Sequence, residues 1–388
     1  MNAMRFAIFF SIVFTIYAAI NYYIIRRGLM VLPEGSGWRM WMVIMVSLLA
    51  LSFVAGRFLE RISVNWFTTT LIWIGSFWLG IMVYLLLQIL LIDIIRVLNG
   101  IIGFFPDLIT RDPQQTRRIV GLVVVSVTLL VVGLGHINTW FPKVRNLTLH
   151  LQKSGGHLDT LHIVAMSDIH LGTTIEKRHM SRIVQQVNDL HPDIILIPGD
   201  IIDEDIAPVI KSNVGEKLTS LKAKYGVYAS TGNHEYIGGV KKAKAYLREH
   251  NVNLLSDTAV LIHDSFYVVG REDLTINQFT NQQRKSLEEI MAGVDITKPV
   301  ILLDHQPFKL KQAVDNHVDL QLSGHTHHGQ LWPFNYITQM IYELSWGYLN
   351  KENTHFYVSS GVGGWGPPIR TVNRPEILSI QLILNDNI

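Results

Sequence analysis

The sequence predicts an N-terminal transmembrane segment of four helices, residues 1–142, followed by an α/β sandwich domain, residues 143–388. Three observations carry this expectation. Hydrophobic residues make up 48% of the 388-residue chain and charged residues only 16%, too apolar a balance for a wholly water-soluble protein of this size. The excess is concentrated in the first part of the chain. Beyond it, short β-branched runs alternate with charged segments of helical period.

The four spans are Phe6–Ile25, Met40–Gly56, Phe67–Ile92 and Ile119–Gly135, each free of formally charged side chains. At 1.5 Å of rise per residue, such lengths approach or exceed a hydrocarbon thickness of roughly 30 Å. Tyr22, Tyr23, Trp38, Trp41, Trp66 and Trp140 stand near their ends, where interfacial aromatics anchor helices. The basic flanks are balanced: Arg26, Arg27, Arg39, Arg96, Arg111, Arg117 and Arg118 fall on one side, and Arg5, Arg57, Arg61, Lys143, Arg145 and Lys153 on the other. Charge asymmetry therefore imposes no orientation. The spans lack ionisable groups, with Asp93 and His136 just outside them, and Asn21 and Gln88 are the kind of residue that bonds helix to helix. The bundle reads as an anchor and not as a transport path. The loop Ile101–Leu108 reads equally as an interfacial segment or a packed connector.

Composition excludes several chemistries. With no cysteine, disulfides, thiolate zinc sites, cysteine-ligated iron–sulfur clusters and cysteine nucleophiles are all ruled out, so any metal must be held by His, Asp, Glu or Asn. A formal charge of +2 gives no basic surface of the kind nucleic acids need, and no nucleic-acid partner is expected.

In the second part, LHIVAMSD, DIILIPGD and GVYASTGNH read as strands running into loops, with Lys177–Leu190 and Val209–Tyr225 as amphipathic helices between them. Further strands are expected at Phe266–Val269, Pro299–Leu303, Val318–Leu322, His355–Ser359 and Ile377–Ile383, and Gly361–Pro368 as a tight loop. The chemistry gathers at the strand ends. Asp168 and His170 follow the first strand, Asp200 ends the second within IPGD, and Asn233, His234 and Glu235 follow the third. His305 follows a fourth strand, and His325, His327 and His328 lie in SGHTHHGQ. Each piece alone has an ordinary reading as a turn, a cap or a structural histidine. Two aspartates, an asparagine and six imidazoles recurring at successive strand ends fit a metal site better than chance.

The order Asp-x-His, Gly-Asp, Gly-Asn-His-Glu, His and Gly-His-x-His resembles the calcineurin-like metallophosphoesterase superfamily over residues 160 to 384. The resemblance implies a two-sheet β-sandwich flanked by helices and a pair of divalent metal ions. It places Asp168, His170, Asp200 and His327 on one ion and Asp200, Asn233, His305 and His325 on the other, with Asp200 bridging. It further implies in-line attack of a metal-bound hydroxide on phosphorus, with His234 as the catalytic histidine beside Asp200 and Asn233, and Glu235 orienting its ring. A nitrogen and oxygen ligand set suits Mn²⁺, with Fe and Zn²⁺ as alternatives. GHTHHGQ with the later PPIRTVNRPEI is most similar to a membrane-associated bacterial phosphodiesterase branch that includes UDP-diacylglucosamine pyrophosphatase-like enzymes. A phosphodiester or pyrophosphate, favoured as lipid-linked, is therefore the expected substrate, and the bacterial cytoplasmic membrane the expected location. A soluble nucleotide phosphodiesterase and a non-catalytic metal-binding membrane scaffold or sensor are the competing readings; no oligomeric state is implied.

Four features stand outside this set. His328 is expected to make a surface or supporting hydrogen bond. The aromatic stretch Leu331–Asn350 reads either as an acyl-binding or membrane-facing lid or as inward packing. Arg370 and Arg374 read as phosphate contacts or as ordinary surface arginines. Asp203–Asp205 reads as a solvated acidic loop.

Overall fold

The computed structural model describes residues 3–385, so residues 1, 2 and 386–388 of the two predicted domains lie outside the described residues. The chain falls into two compact units, one comprising residues 1–136 with 366–369 and the other residues 137–365 with 370–388.

The first unit is helical. Three helices, Trp38–Glu60, Trp66–Ile102 and Pro113–Thr139, are long and apolar enough to cross a membrane by length and composition, and a 27-residue helix, Ala3–Leu29, precedes them. The Trp66–Ile102 helix starts at a capping box: the Asn65 side chain accepts from the amides of Phe67 and Thr68, and Thr68 Oγ1 accepts from the Asn65 amide. It stops at Gly103, whose left-handed backbone (φ 69°) closes the last turn. Its backbone comes so close to the preceding helix that a Cβ on Gly75 would lie 2.3 Å from the Phe53 nitrogen. Asn21 and Gln88 bond between helices as their chemistry predicts, Asn21 Oδ1 accepting from Trp78 Nε1 (3.0 Å) and Gln88 Nε2 donating to Thr128 Oγ1 (2.7 Å). Asp93, where the apolar run ends, is paired with Arg27 and Tyr23.

The second unit holds twelve strands among the described residues, numbered in chain order and arranged in two mixed six-stranded sheets. The first sheet has the order β1 (Lys143–Leu151), β12 (Glu376–Leu384), β2 (Thr160–Ala165), β3 (Ile194–Pro198), β4 (Val227–Ser230) and β5 (Asn253–Leu254). The second has the order β10 (Gly347–Lys351), β11 (Thr354–Val358), β9 (Leu320–Ser323), β8 (Val300–Leu303), β7 (Phe266–Gly270) and β6 (Thr258–Ile262). Strands β2 to β5 are parallel and linked by helical crossovers, and β12 runs parallel to β1 and antiparallel to β2.

The alternation of side chains along each strand builds the layers. Leu161 and Ile163 point from the first sheet into a core shared with Phe266, Ile301 and Leu322 of the second. Val164, Ile195 and Ile197 face the other way, onto Met180, Ile183 and Leu247 of the covering helices. Val269, Val300 and Leu302 pack outward against Leu287, Ile290 and Leu310. The result is the expected sandwich of two sheets between helical layers.

One local expectation changes. The helix expected over Val209–Tyr225 breaks at Asn213, which adopts a left-handed backbone (φ 50°, ψ 40°) between Ile206–Ser212 and the 3₁₀ turn Val214–Ser220. The aromatic stretch Leu331–Asn350 contains a helix, Phe334–Ile341, followed by most of β10.

Phe266 is fully buried between the sheets, so Phe266→Ala is expected to cost about 3–5 kcal/mol. Phe279→Ala, at an exposed position, should stay within about 0.5 kcal/mol. Thermal unfolding of the two variants in detergent checks the difference.

Candidate metal centre

All of the predicted site residues lie at strand ends on one side of the sandwich. Asp168 and His170 follow β2, Asp200 follows β3, Asn233 and His234 open the helix after β4, His305 follows β8, and His325 and His327 follow β9. Five of them, Asp168, His170, Asp200, His325 and His327, have positive φ between 46° and 71°. Such backbone costs about 1–3 kcal/mol per non-glycine residue and persists where surrounding contacts over-determine it. Here the contacts are explicit. The Asp168 amide donates to Gly199 O and the His170 amide to Asp200 O, which ties the first loop to the second. Asp168 Oδ1 accepts from the His325 amide (2.9 Å) and Asp200 Oδ1 from the His234 amide (2.9 Å).

The side chains converge in two groups. In one, His170 Nε2 lies 3.1 Å from His327 Nε2, and His327 Nε2 lies 3.5 Å from Asp168 Oδ1. In the other, His305 Nε2 lies 3.1 Å from Asp200 Oδ2 and 3.2 Å from Asn233 Oδ1, which is 2.8 Å from His325 Nδ1. Asp200 Oδ2 also reaches to 3.9 Å from His170 Nε2, so one carboxylate stands between the groups. Asp168, His170 and His327, and likewise Asp200, His305 and His325, bring ligand atoms within 4.8 Å of one another. Nitrogen and oxygen lone pairs crowded this closely suit cations, and the set has no sulfur, as the composition requires. His305 Nδ1 is committed to Pro198 O (2.8 Å), which fixes the ring and aims Nε2 at the group.

The electrostatics express the same crowding. Burial pushes the Asp168 carboxyl up to about 6 against the pull of His305. Burial also opposes the charge on Asp200, but His305 and His234 outweigh it and hold that carboxyl well below its ordinary value. Burial would lower His234, yet Asp200 and Asp203 raise it to about 9. Burial, reinforced by His234, takes His170 down to about 3.

Several side chains do something other than expected. Asp203 is not part of a solvated loop: it is buried, and its Oδ1 lies 3.1 Å from His234 Nδ1 and 3.9 Å from His170 Nδ1. Glu235 does not turn toward the His234 ring. Its carboxylate accepts from the amides of Asp200 (3.2 Å), Ile201 (2.8 Å), Ile202 (2.9 Å) and Gly232 (2.7 Å), holding two strand-end loops together. His328, by contrast, makes the supporting hydrogen bond expected of it, buried and bonded through Nδ1 to Ser345 Oγ (3.1 Å). Neither arginine is placed as a phosphate fork. Arg370 is fully buried, donating to Ser360 O, Gly363 O and His327 Nδ1, and Arg374 donates to Phe141 O. The loops meet so tightly that a Cβ on Gly232 would lie 2.1 Å from Asp200 Oδ1, and one on Gly199 would lie 2.6 Å from His305 Nδ1.

The mixed two-sheet sandwich thus carries a histidine and carboxylate cluster at its strand ends. Residues 161–329 match the family described as calcineurin-like phosphoesterase. An uncharacterized metallophosphoesterase of Campylobacter jejuni is 30% identical over 67% of this chain and 68% of its own length. A transmembrane protein with metallophosphoesterase domain from Danio rerio is 32% identical, over 69% of this chain and 63% of its own. The UDP-2,3-diacylglucosamine pyrophosphatase LpxG of Chlamydia muridarum is 26% identical, over 67% and 95% respectively. The chain belongs to the calcineurin-like phosphoesterase family, whose members use dimetal sites, and it spans 63% to 64% of the length of several curated relatives it matches. The apolar helices and the transmembrane relative together support membrane association.

Removing Glu235 leaves four amides without their acceptor, and each buried orphan costs about 1–3 kcal/mol. Glu235→Ala is therefore expected to lower the melting temperature sharply and to weaken Mn²⁺ binding, both measurable by differential scanning calorimetry with and without metal. A cation bound at Asp168 would also have to displace the proton that this carboxyl holds below about pH 6. Mn²⁺ affinity measured by isothermal titration calorimetry should then fall by at least about tenfold from pH 7 to pH 5, with proton release on binding. A pH-independent affinity would contradict this.

Proposed function

We propose that this chain is a membrane-anchored, dimetal phosphoesterase that hydrolyses a phosphodiester or pyrophosphate bond, with a lipid-linked substrate. The observation that carries the reading is the pair of neighbouring groups of potential ligands, Asp168 with His170 and His327 and Asp200 with His305 and His325, with the Asp200 carboxylate lying between them. In this reading Asp168, His170, Asp200 and His327 hold one divalent ion and Asp200, Asn233, His305 and His325 the other. Mn²⁺ is the favoured metal, with Fe or Zn²⁺ compatible with the same donors. Bound there, the two cations would acidify a shared water and offset the charge on the phosphoryl oxygens.

The chain's own groups do the rest. Asp203 engages His234 Nδ1, so Nε2 is the nitrogen free to meet a phosphoryl or departing oxygen. Asp203, hydrogen-bonded to Nδ1, favours the protonated ring, which suits it to hydrogen-bond developing charge and to deliver a proton to the leaving oxygen. Asn233, through its amide oxygen, contributes a neutral ligand, and its ring neighbours His305 and His325 are held on either side of it. The lipid-linked substrate draws support from the relative LpxG, a UDP-2,3-diacylglucosamine pyrophosphatase, and from the apolar helices of the first unit. We place four spans in an anchor of residues 1–142, counting Ala3–Leu29 with the other three, ahead of a catalytic domain of residues 143–388 in a bacterial cytoplasmic membrane.

The test is hydrolysis of bis(p-nitrophenyl) phosphate by the full-length protein in detergent with Mn²⁺. Asp200→Asn and His234→Asn are each expected to lower kcat by about 10²–10⁴-fold, His234→Asn with metal content preserved. Equal rates in wild type and both variants would overturn the catalytic reading.

A further inference from the structure

The stretch that follows the last metal-ligand candidates is built as an excursion from the ligand turn, closed at both ends. At its start, Gly329 lies against the first turn of the Phe334–Ile341 helix so closely that a Cβ there would be 2.3 Å from the Asn335 nitrogen. At its end, Ser345 O accepts from Thr326 Oγ1 (2.6 Å), and Ser345 Oγ meets His328 Nδ1 (3.1 Å). Thr326 lies between His325 and His327 in sequence, so the base of the excursion is fixed to the turn that carries both rings.

Its outer surface is the opposite of a packed insertion. The helix FNYITQMI carries no charged residue, and Trp332, Phe334, Tyr336, Ile337, Met340 and Ile341 are all exposed, Met340 by 86%. An apolar surface this continuous is costly in water and marks an interaction site. It runs back toward the reacting centre: the Tyr342 ring lies 6.1 Å from that of His325 and 4.7 Å from that of Phe308. On the far side of the cluster the half-exposed Trp365 ring lies 6.1 Å from His234.

We propose that the Trp332–Tyr342 excursion receives the acyl chain of an amphiphilic phosphoester while its phosphorus lies at the metal centre. This deepens the function proposed above and rests on it. Three features select an acyl chain as the occupant: the absence of charge on the helix, the apolar continuity through Tyr342 to His325, and the presence in the same chain of helices suited to a bilayer, which is where acylated substrates concentrate. A helix anchored at its base and apolar at its surface can bind such a chain without ordering a flexible loop, so little of the binding energy is lost to entropy.

The experiment compares p-nitrophenyl dodecyl phosphate with p-nitrophenyl methyl phosphate, using the full-length protein with Mn²⁺ at fixed detergent concentration. In both, water adds at phosphorus and p-nitrophenolate departs, leaving the alkyl phosphate and releasing a proton, so only the chain differs. In wild type the ratio of kcat/KM for dodecyl over methyl should exceed about ten. Replacing Ile337 and Met340 together by serine should reduce that ratio by about tenfold, because the apolar area they offer the chain is lost. Ile296→Ser, at an exposed position on a different loop, should leave the ratio as it is in wild type. An unchanged ratio in the double variant overturns the acyl-docking proposal while leaving the phosphoesterase reading intact, and so does an equal loss on both substrates. A fall in oligomeric mass on light scattering with the ratio unchanged assigns the surface to a second copy of the chain and also overturns it. Hydrolysis of neither substrate by wild type overturns both readings.

Discussion

A buried carboxylate that remains ionised sets the terms for the whole candidate metal centre. Asp200 is almost inaccessible to solvent, and its charge survives because His305 and His234 surround it and an amide caps one of its oxygens. Removing a charge from water is expensive, and the expense is offset only when the partners are held in place beforehand. Glu235 does that holding. By accepting four amides from the Gly232 turn and the loop after β3, it locks the strand ends whose side chains meet at Asp200. The glycines between them have no room for a Cβ, so the loops approach to a distance at which small changes in backbone would move every group at once.

The same logic accounts for the unusual backbone. Left-handed conformations at Asp168, His170, Asp200, His325 and His327 turn each side chain sharply off the end of its strand and into a common space. A strand that continued straight would leave Asp168 and His170 on one face of the sheet, and the positive-φ turns instead direct them off the strand end toward residues from four other strand ends. The sheets supply rigid, buried supports, and the strain is confined to the turns where it is useful.

Much of this was legible in the sequence because strand-to-loop transitions leave a local signature: a β-branched run, then a carboxylate, amide or imidazole. The sandwich and the placing of these residues at strand ends follow from that pattern, and their grouping around a pair of ions is what the family resemblance implies. What was not legible depends on long-range closure. Asp203 sits in an acidic run whose composition reads as solvated, and only the return of the chain beside His234 buries it. Glu235 is next to His234 in sequence, but successive residues of a helix point in different directions, and its carboxylate turns to the amides. Arg370 read as a phosphate contact or a surface arginine because exposed arginine is the common case, whereas here it is buried and its guanidinium is spent on backbone carbonyls and the His327 ring. The break at Asn213 and the outward face of Phe334–Ile341 depend on packing that periodicity does not report.

The position of β12 bears on how such a protein is made. It is the last strand of the domain in sequence, yet it lies between β1 and β2, bonded to both. While the ribosome is still translating the residues before it, the first two strands of that sheet have open edges and nothing between them, a state prone to pairing with other chains. The first sheet cannot be completed until Glu376–Leu384 has been made, because a nascent chain stopped short of that strand lacks the piece that joins its beginning to its middle.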